Sequence, residues 1–354
     1  MNRRAVLTLL ASPILALTAG TGWVRGQSGR NPYYSGPVSD HFDGQRFFNP
    51  NTNVDKTASE LARFLLGTPR EDWPKAWPSP FPQDKPPAEV RDGVRVTLIG
   101  HASYLIQTGG VNILCDPIFS ERASPFTFAG PKRVNAPGIA FADLPKIHAV
   151  LVSHNHYDHM DTATLARLVR RDNPRVIAPL GNDTILKAAI PNISVEAHDW
   201  GDRVEFAPGV VVTLVATAHW SARGLGDRRK ALWASFVIET PKGRIYHVGD
   251  TGYAEDANFT AHGKTYGPFR LALLPIGAYE PRWFMQTNHM NPEEAVMAFQ
   301  RLGAEQAIGH HWGTFRLTAE AVDAPEKALA DARAKYGLAE TQFQAFRPGQ
   351  VLEI

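Results

Sequence analysis

The segment Val152-Ser153-His154-Asn155-His156-Tyr157-Asp158-His159 gathers three imidazoles and a carboxylate into six residues, just where an apolar run becomes polar. Residues two apart on extended backbone point the same way, so His154 and His156 can grip one cation from one side. Asp158 and His159, placed as the chain turns, can face a second cation nearby. Imidazole nitrogen and carboxylate oxygen suit borderline-soft ions such as zinc, and catalytic sites keep a coordination position for water. Two cations need more donors. His219 in Thr217-Ala218-His219-Trp220, Asp250 in His247-Val248-Gly249-Asp250, and His310 and His311 before Trp312-Gly313 all fall at the ends of expected strands. His247 lies three residues before Asp250 and is expected on the opposite face of its strand. A water shared by two such cations has its pKa lowered towards about 7, which is hydrolytic chemistry.

The elements that must hold these donors follow from local pattern. Arg95–Ile99, Ser103–Gln107 and Val111–Cys115 read as strands, with Gly109-Gly110 turning the last pair. Ala149–Ser153 reads as a buried strand leading into the histidine loop, followed by a helix over Thr162–Arg171 capped by Asp161. Strands at 176–179 and 194–197 flank a helix near Asp183–Ala189, and hairpins follow at 204–216 and 232–248. Leu271–Ile276 is a further buried strand. Asn291-Pro292-Glu293-Glu294 opens a helix with cap, proline and N-terminal acids in place, and a helix at 325–336 precedes a last strand at 350–354. Strand-rich blocks mixed with helices in two halves predict sheets covered by outer helices. Residues 28–92 are rich in proline and aromatics, which predicts an irregular arm across the core. Within it, Leu61, Phe64 and Leu65 share one face of a helix at Thr57–Leu66.

The chain has 354 residues, 44% apolar and 20% charged, enough to bury a core, and its net charge of +2 gives no large basic field, which argues against a dedicated nucleic-acid binder. A single cysteine, Cys115, excludes a disulfide framework and a thiolate metal cluster. Met1-Asn2-Arg3-Arg4 followed by an apolar stretch to Ala19 reads as a signal peptide over residues 1–27, of the twin-arginine type. The expected location is therefore exported, periplasmic or peripheral on the outer face of the cytoplasmic membrane. The expected division is 1–27 leader, 28–92 arm and 93–354 catalytic domain.

The order His-x-His-x-Asp-His with later His, Asp and His resembles the signature of the metallo-β-lactamase superfamily. That resemblance implies a four-layer αββα sandwich with two Zn2+ at one edge. His154, His156 and His219 would hold one ion and Asp158, His159 and His311 the other, with Asp250 between them. His311 is preferred to His310 because it directly precedes Trp312-Gly313-Thr314. Asp250 stands where the main zinc β-lactamases have cysteine, which disfavours antibiotic hydrolysis. Longer stretches resemble the N-acylphosphatidylethanolamine-hydrolysing phospholipase D family: Phe42-Asp43-Gly44-Gln45-Arg46-Phe47-Phe48-Asn49-Pro50, Ile99-Gly100-His101-Ala102-Ser103, Asp116-Pro117-Ile118-Phe119-Ser120 and Pro275 through Met285. The resemblance implies a phosphodiesterase releasing phosphatidic acid and an N-acylethanolamine. It implies that Tyr157 and His289 contact the substrate and that Asp116 is needed for activity. Asp116 and His101 are expected behind the ligands, and His289 is expected to stabilise charge on the phosphate oxygens. Asp158 or Asp250 would pass a proton to the leaving group. The expected partners are a phospholipid at a membrane surface and a second copy of the chain as a homodimer, with no nucleic acid. Trp220, Trp283 and Phe284 are candidates for an acyl-chain groove, and Arg282 for either phosphate binding or surface pairing. Rival readings are a lactonase or other small phosphodiester hydrolase of the same superfamily, and a non-catalytic lipid-binding protein.

Overall fold

Short runs of β-branched and aromatic residues between glycine-bearing turns become strands. The first six are β1 (Val94–Gly100), β2 (Ser103–Thr108), β3 (Val111–Cys115), β4 (Ala149–Leu151), β5 (Arg175–Pro179) and β6 (Val195–His198). A second sheet takes β7 (Arg203–Ala207), β8 (Val210–Val215), β9 (Ser235–Thr240), β10 (Gly243–His247), β11 (Phe269–Pro275), β12 (Ala304–His310) and β13 (Phe343–Ala345), and β14 (Val351–Glu353) returns to pair with β1. The computed structural model describes residues 30–224 and 226–354, so the expected leader at 1–27 lies outside the described residues.

The sheet orders are β14-β1-β2-β3-β4-β5-β6 and β13-β12-β11-β10-β9-β8-β7. Each sheet is antiparallel on one side and parallel on the other, β3 to β6 in the first and β10 to β13 in the second. The β2–β3 turn uses Gly109 and Gly110 at φ 56° and 77°, the left-handed pair that a two-residue hairpin requires.

The described helices are α1 (Ala58–Gly67), α2 (Thr162–Asp172), α3 (Asn182–Ala189), α4 (Ala257–Tyr266), α5 (Arg282–Met285), α6 (Pro292–Leu302) and α7 (Ala324–Tyr336). Val96, Ile106, Val212 and Phe236 meet in one fully buried cluster, so the two sheets pack face to face. Leu165, Leu168 and Leu186 of α2 and α3 cover the outer face of the first sheet. Phe259, Val296, Phe299 and Leu329 of α4, α6 and α7 cover the second. The result is the αββα sandwich expected from the sequence. Among the described residues, no helix is long and apolar enough to cross a membrane.

The arm is irregular apart from α1, and it packs closely. Phe42 and Phe47 are buried against Leu232 and Trp233, while Phe64 of α1 stacks on Phe284 with ring centroids 4.4 Å apart. β13, α4 and α5 were not expected from sequence, and β12 was expected only as a strand ending at His310 and His311, without a start. β12 reads Ala-Glu-Gln-Ala-Ile-Gly-His, too polar to show its extent, and becomes a strand because β11 and β13 pair with it on both sides. The α4 sequence contains Asn, Thr and Gly, all weak helix formers; the Asp256 side chain caps its start by accepting from Thr260 N.

Candidate metal centre

Strand ends deliver the site. His101 follows β1, Asp116 follows β3, and Ser153 to His159 lie beyond β4. His219 follows β8, Asp250 follows β10 and His311 follows β12. Parallel strands aligned in this way present their C-terminal loops along one edge, so residues up to 210 positions apart converge.

One cluster holds His154, His156, His219 and Asp250. His156 Nδ1 lies 2.8 Å from His154 Nε2 and 3.3 Å from His219 Nε2, while Asp250 Oδ2 is 3.8 and 3.5 Å from those Nε2 atoms. Donors about 2.0–2.1 Å from a tetrahedral zinc stand about 3.3 Å from one another. The second cluster joins Asp158, His159 and His311. Asp158 Oδ2 is 3.5 Å from His159 Nε2 and 3.4 Å from His311 Nε2. Asp250 reaches this group too, with Oδ2 3.3 Å from His159 Nε2 and Oδ1 3.0 Å from His311 Nε2. Asp250 therefore faces both clusters, and all seven residues named from sequence lie together. His310 turns the other way, into the layer between the sheets beside Tyr104 and His247.

The donor set asks for cations. His159 Nε2, His311 Nε2 and Asp250 Oδ1 are buried with no hydrogen-bond partner, an arrangement that native interiors rarely tolerate. Burial lowers the pKa of His156 and of His219 to about 3, and that of His154 well below the ordinary range. These three imidazoles are neutral and carry free lone pairs. Around the second cluster the balance reverses. Burial disfavours charge on His311, yet Asp250 and Asp158 push it up to about 9, and Asp250, Asp158 and Asp116 push His159 well above 6.5. Burial likewise opposes ionisation of Asp158 and Asp250, but the surrounding histidines hold both carboxyls well below the usual range. The carboxylates draw positive charge into this pocket, and a bound divalent ion would supply it in place of those protons.

Hydrogen bonds behind the donors fix which nitrogen faces inward. Asp116 is fully buried and accepts from Ser153 N at 2.7 Å, Ser153 Oγ at 2.6 Å and His159 Nδ1 at 2.8 Å. Because the Ser153 hydroxyl spends its proton on Asp116, it accepts from His154 Nδ1 at 2.9 Å. One carboxylate thus sets the tautomers of two histidines, leaving each Nε2 lone pair free. His219 Nδ1 donates to Asn288 O at 3.1 Å, and Asn49 of the arm donates to the His219 carbonyl at 2.8 Å. His101 Nε2 donates to Asp158 Oδ2 at 2.8 Å and its ring lies 4.0 Å from that of His311. His101, Asp116 and His311 all adopt left-handed backbone, at φ 57°, 40° and 65°. Such strain collects at functional sites, and here His311 N→His101 O at 2.9 Å ties two of these residues together.

Sequence reasoning missed Ser153 and Arg223. The Arg223 guanidinium donates to the carbonyls of Asn155 and Met160 at 3.0 and 2.8 Å and covers the Tyr157 ring at 4.0 Å, stapling the histidine loop. The position of Ser153 between the strand and His154 was a usable signal; nothing in the sequence flagged Arg223.

A cavity of about 420 Å³ opens onto the donors His156, Asp158 and Asp250. Its wall is largely apolar, with Leu61, Phe64, Trp220, Phe284 and Met285, and it includes Tyr157 and His289. His289 Nε2 stands 4.0 Å from Asp250 Oδ2, and burial lowers its pKa to about 3. Tyr157 Oη donates to the Arg223 carbonyl at 2.9 Å. Trp220 and Phe284 line the cavity, whereas Trp283 lies under the Arg63 guanidinium at 4.1 Å. Arg282 resolves to the paired alternative: it binds both oxygens of Glu294 and donates to the His289 carbonyl, so it orients the His289 loop.

Fold and donor set together define a metal-dependent hydrolase of the metallo-β-lactamase type. Residues 111–312 match the family described as Beta-lactamase superfamily domain, and the chain belongs to the metallo-β-lactamase superfamily. It is 38% identical over 274 residues to the N-acyl-phosphatidylethanolamine-hydrolyzing phospholipase D 1 of Caenorhabditis elegans, covering 74% of this chain and 76% of that one. It is 34% identical over 238 residues to the mitochondrial N-acyl-phosphatidylethanolamine-hydrolyzing phospholipase D of Saccharomyces cerevisiae, covering 66% of this chain and 50% of that one. Among solved structures, Igni18, a metallo hydrolase from Ignicoccus hospitalis, shares the fold at TM-score 0.55 and 23% identity, over 74% of this chain and 98% of that one.

Proposed function

We propose that the chain hydrolyses N-acylphosphatidylethanolamine-like phospholipids in the phospholipase D manner, releasing phosphatidic acid and an N-acylethanolamine at the outer face of the cytoplasmic membrane. The observation that carries this reading is the cavity itself: one end is bordered by the His/Asp donors and the rest is walled by aliphatic and aromatic side chains, a shape suited to an amphiphile. Two divalent cations, zinc by the nature of the donors, would be held by His154, His156 and His219 and by Asp158, His159 and His311, with Asp250 shared. They supply Lewis acidity and lower the pKa of water. Two ligating carboxylates against two dications leave excess positive charge, which favours an anionic diester over a neutral ester.

The chain's own groups orient the substrate. Neutral His289 offers an N–H to a non-bridging phosphate oxygen from the cavity wall. The Tyr157 hydroxyl has committed its proton to Arg223 O, so Tyr157 presents a lone pair and a ring face and orients without protonating. Asp158 and Asp250 both border the cavity as carboxylates, and either can take up the proton that the attacking water gives up and pass it to the leaving alkoxide. The test is phosphatidic acid release by zinc-loaded protein from N-acylated and plain phosphatidylethanolamine. Preferred turnover of the N-acylated lipid, abolished by chelation, is expected. Activity that survives exhaustive chelation, or turnover of lactones alone, would refute the reading.

A further inference from the structure

Five large apolar side chains are exposed among the described residues: Val38, Leu66, Phe81, Phe126 and Phe128. Three of the five sit on two elements that also wall the cavity. Leu66, 86% exposed, is on α1, whose Leu61 and Phe64 line it. Phe126 and Phe128, 55% and 79% exposed, sit on the loop of residues 121–131, whose Ala123 and Pro131 line it. The two rings touch each other, with centroids 5.5 Å apart.

That loop is built to present them. Ala123 N donates to Pro131 O at 3.0 Å and Arg133 N to Glu121 O at 2.9 Å, closing its base. The Arg122 guanidinium reaches inside and donates to Gly130 O at 2.6 Å and Thr127 O at 3.2 Å. A frame bonded in this way holds the rings out where a slack loop would fold them in. Residues 121–133 carry three basic side chains against one acidic, and so do residues 56–70 around α1. Lys132 pairs with Glu121 at 3.3 Å and the Arg122 and Arg133 guanidiniums are turned onto backbone carbonyls, so what surrounds the rings is a net positive charge of two on each element and not a row of free cations. Two phenylalanine rings bury roughly 150–250 Å² each, well short of the roughly 800 Å² per partner of a stable protein interface. They are well matched to an interfacial wedge among lipid chains, and the net positive charge of both elements favours anionic head groups.

We propose that the 121–131 loop is a bilayer anchor: Phe126 and Phe128 insert among phospholipid acyl chains and hold the cavity against the membrane from which its substrate comes. The origin of the substrate rests on the lipid-hydrolase reading above; the anchoring is measured without it. Cys115 is the chain's single cysteine and is fully buried, so Phe128→Cys can be labelled selectively with an environment-sensitive fluorophore. With zinc-loaded full chain and vesicles of phosphatidylethanolamine and phosphatidylglycerol, the label should brighten, shift to the blue and be quenched by nitroxides placed on acyl chains. Phe126→Ser/Phe128→Ser should weaken vesicle binding at least about tenfold while leaving hydrolysis of a soluble short-chain diester unchanged. A silent label, or a double variant that binds vesicles as the native chain does, would overturn the proposal. So would a dimer that forms without lipid and dissociates when both rings are removed, because a second copy would then cover them. Loop-dependent docking without phosphatidic acid release would support the anchor and refute the phospholipase reading. Lipid hydrolysis on vesicles undiminished in the double variant would overturn the anchor and leave that reading standing.

Discussion

Asp116→Asn removes one oxygen acceptor and should disturb both metal clusters at once. The carboxylate receives the Ser153 hydroxyl and His159 Nδ1 on a single oxygen, Oδ2, and its other oxygen takes Ser153 N. If the asparagine keeps its carbonyl on Ser153 N, its amide group points two protons at two donors. His159 then relaxes by accepting through Nδ1, which moves its proton to Nε2 and closes that lone pair to a cation. Ser153 loses its acceptor and no longer has to accept from His154, so that tautomer is released as well. Removing a partner behind a metal ligand typically weakens metal binding about 10–100-fold. Asp116→Asn should therefore weaken both stepwise zinc constants by that factor, roughly 1.4–2.7 kcal/mol each. Ser153→Ala disconnects His154 alone and should weaken only one. Competition against a chromophoric chelator reads both constants, with circular dichroism confirming the fold. Two native-strength constants in Asp116→Asn, or both constants weakened equally in Ser153→Ala, would refute the relay.

Gly249→Ala would drive a Cβ into Ser153 Oγ and towards Asp116 Oδ2; overpacking of this kind costs about 1–3 kcal/mol, and a chelator titration should show the His154 cluster weakened. Phe64→Ala deletes a fully buried ring stacked on Phe284, a loss of about 3–5 kcal/mol; amide exchange should rise across Ala58–Gly67 while zinc content stays at the native value. His41 is buried between Asp199 and Asp40, with nitrogen–oxygen distances of 2.7 and 2.6 Å. Burial opposes its protonation, but the two carboxylates outweigh burial and raise its pKa above 6.5. This pair of contacts therefore stabilises fully below about pH 6.5, the unfolded value, and its contribution falls as pH rises through the folded pKa. The difference in Tm between the native chain and His41→Gln should be larger at pH 5.5 than at pH 9, and a pH-independent difference would contradict the assignment.

What was legible in the sequence was local. The Asn291 cap, the Asp161 cap and the Gly109-Gly110 turn depend on neighbours within four residues, and the structure forms them at those positions, completing a capping box between Asn291 and Glu294. The His154–His159 run could be placed because a buried strand must end where imidazoles begin. β12 could be given an end at His310 and His311 but no extent, because its identity comes from pairing with β11 and β13, not from its own alternation. The contact between His101 and Asp158 joins residues 57 apart across the end of the first sheet, which no spacing rule encodes. The same holds for Arg223, whose partners are carbonyl oxygens 63 and 68 residues away and carry no side-chain signature. His310 and His311 are neighbours that face opposite ways, one into the inter-sheet layer and the other into the metal cluster; the left-handed backbone at His311, φ 65°, accompanies that change of direction.

The most direct measurement is metal content by elemental analysis of native chain and Asp250→Asn, each equilibrated with zinc and freed of excess. Asp250 is the one carboxylate that reaches both clusters, so the native chain should hold two ions and the variant should lose at least one while remaining folded. Two ions retained by Asp250→Asn at native affinity, or fewer than two in the native chain, would contradict a shared two-metal centre.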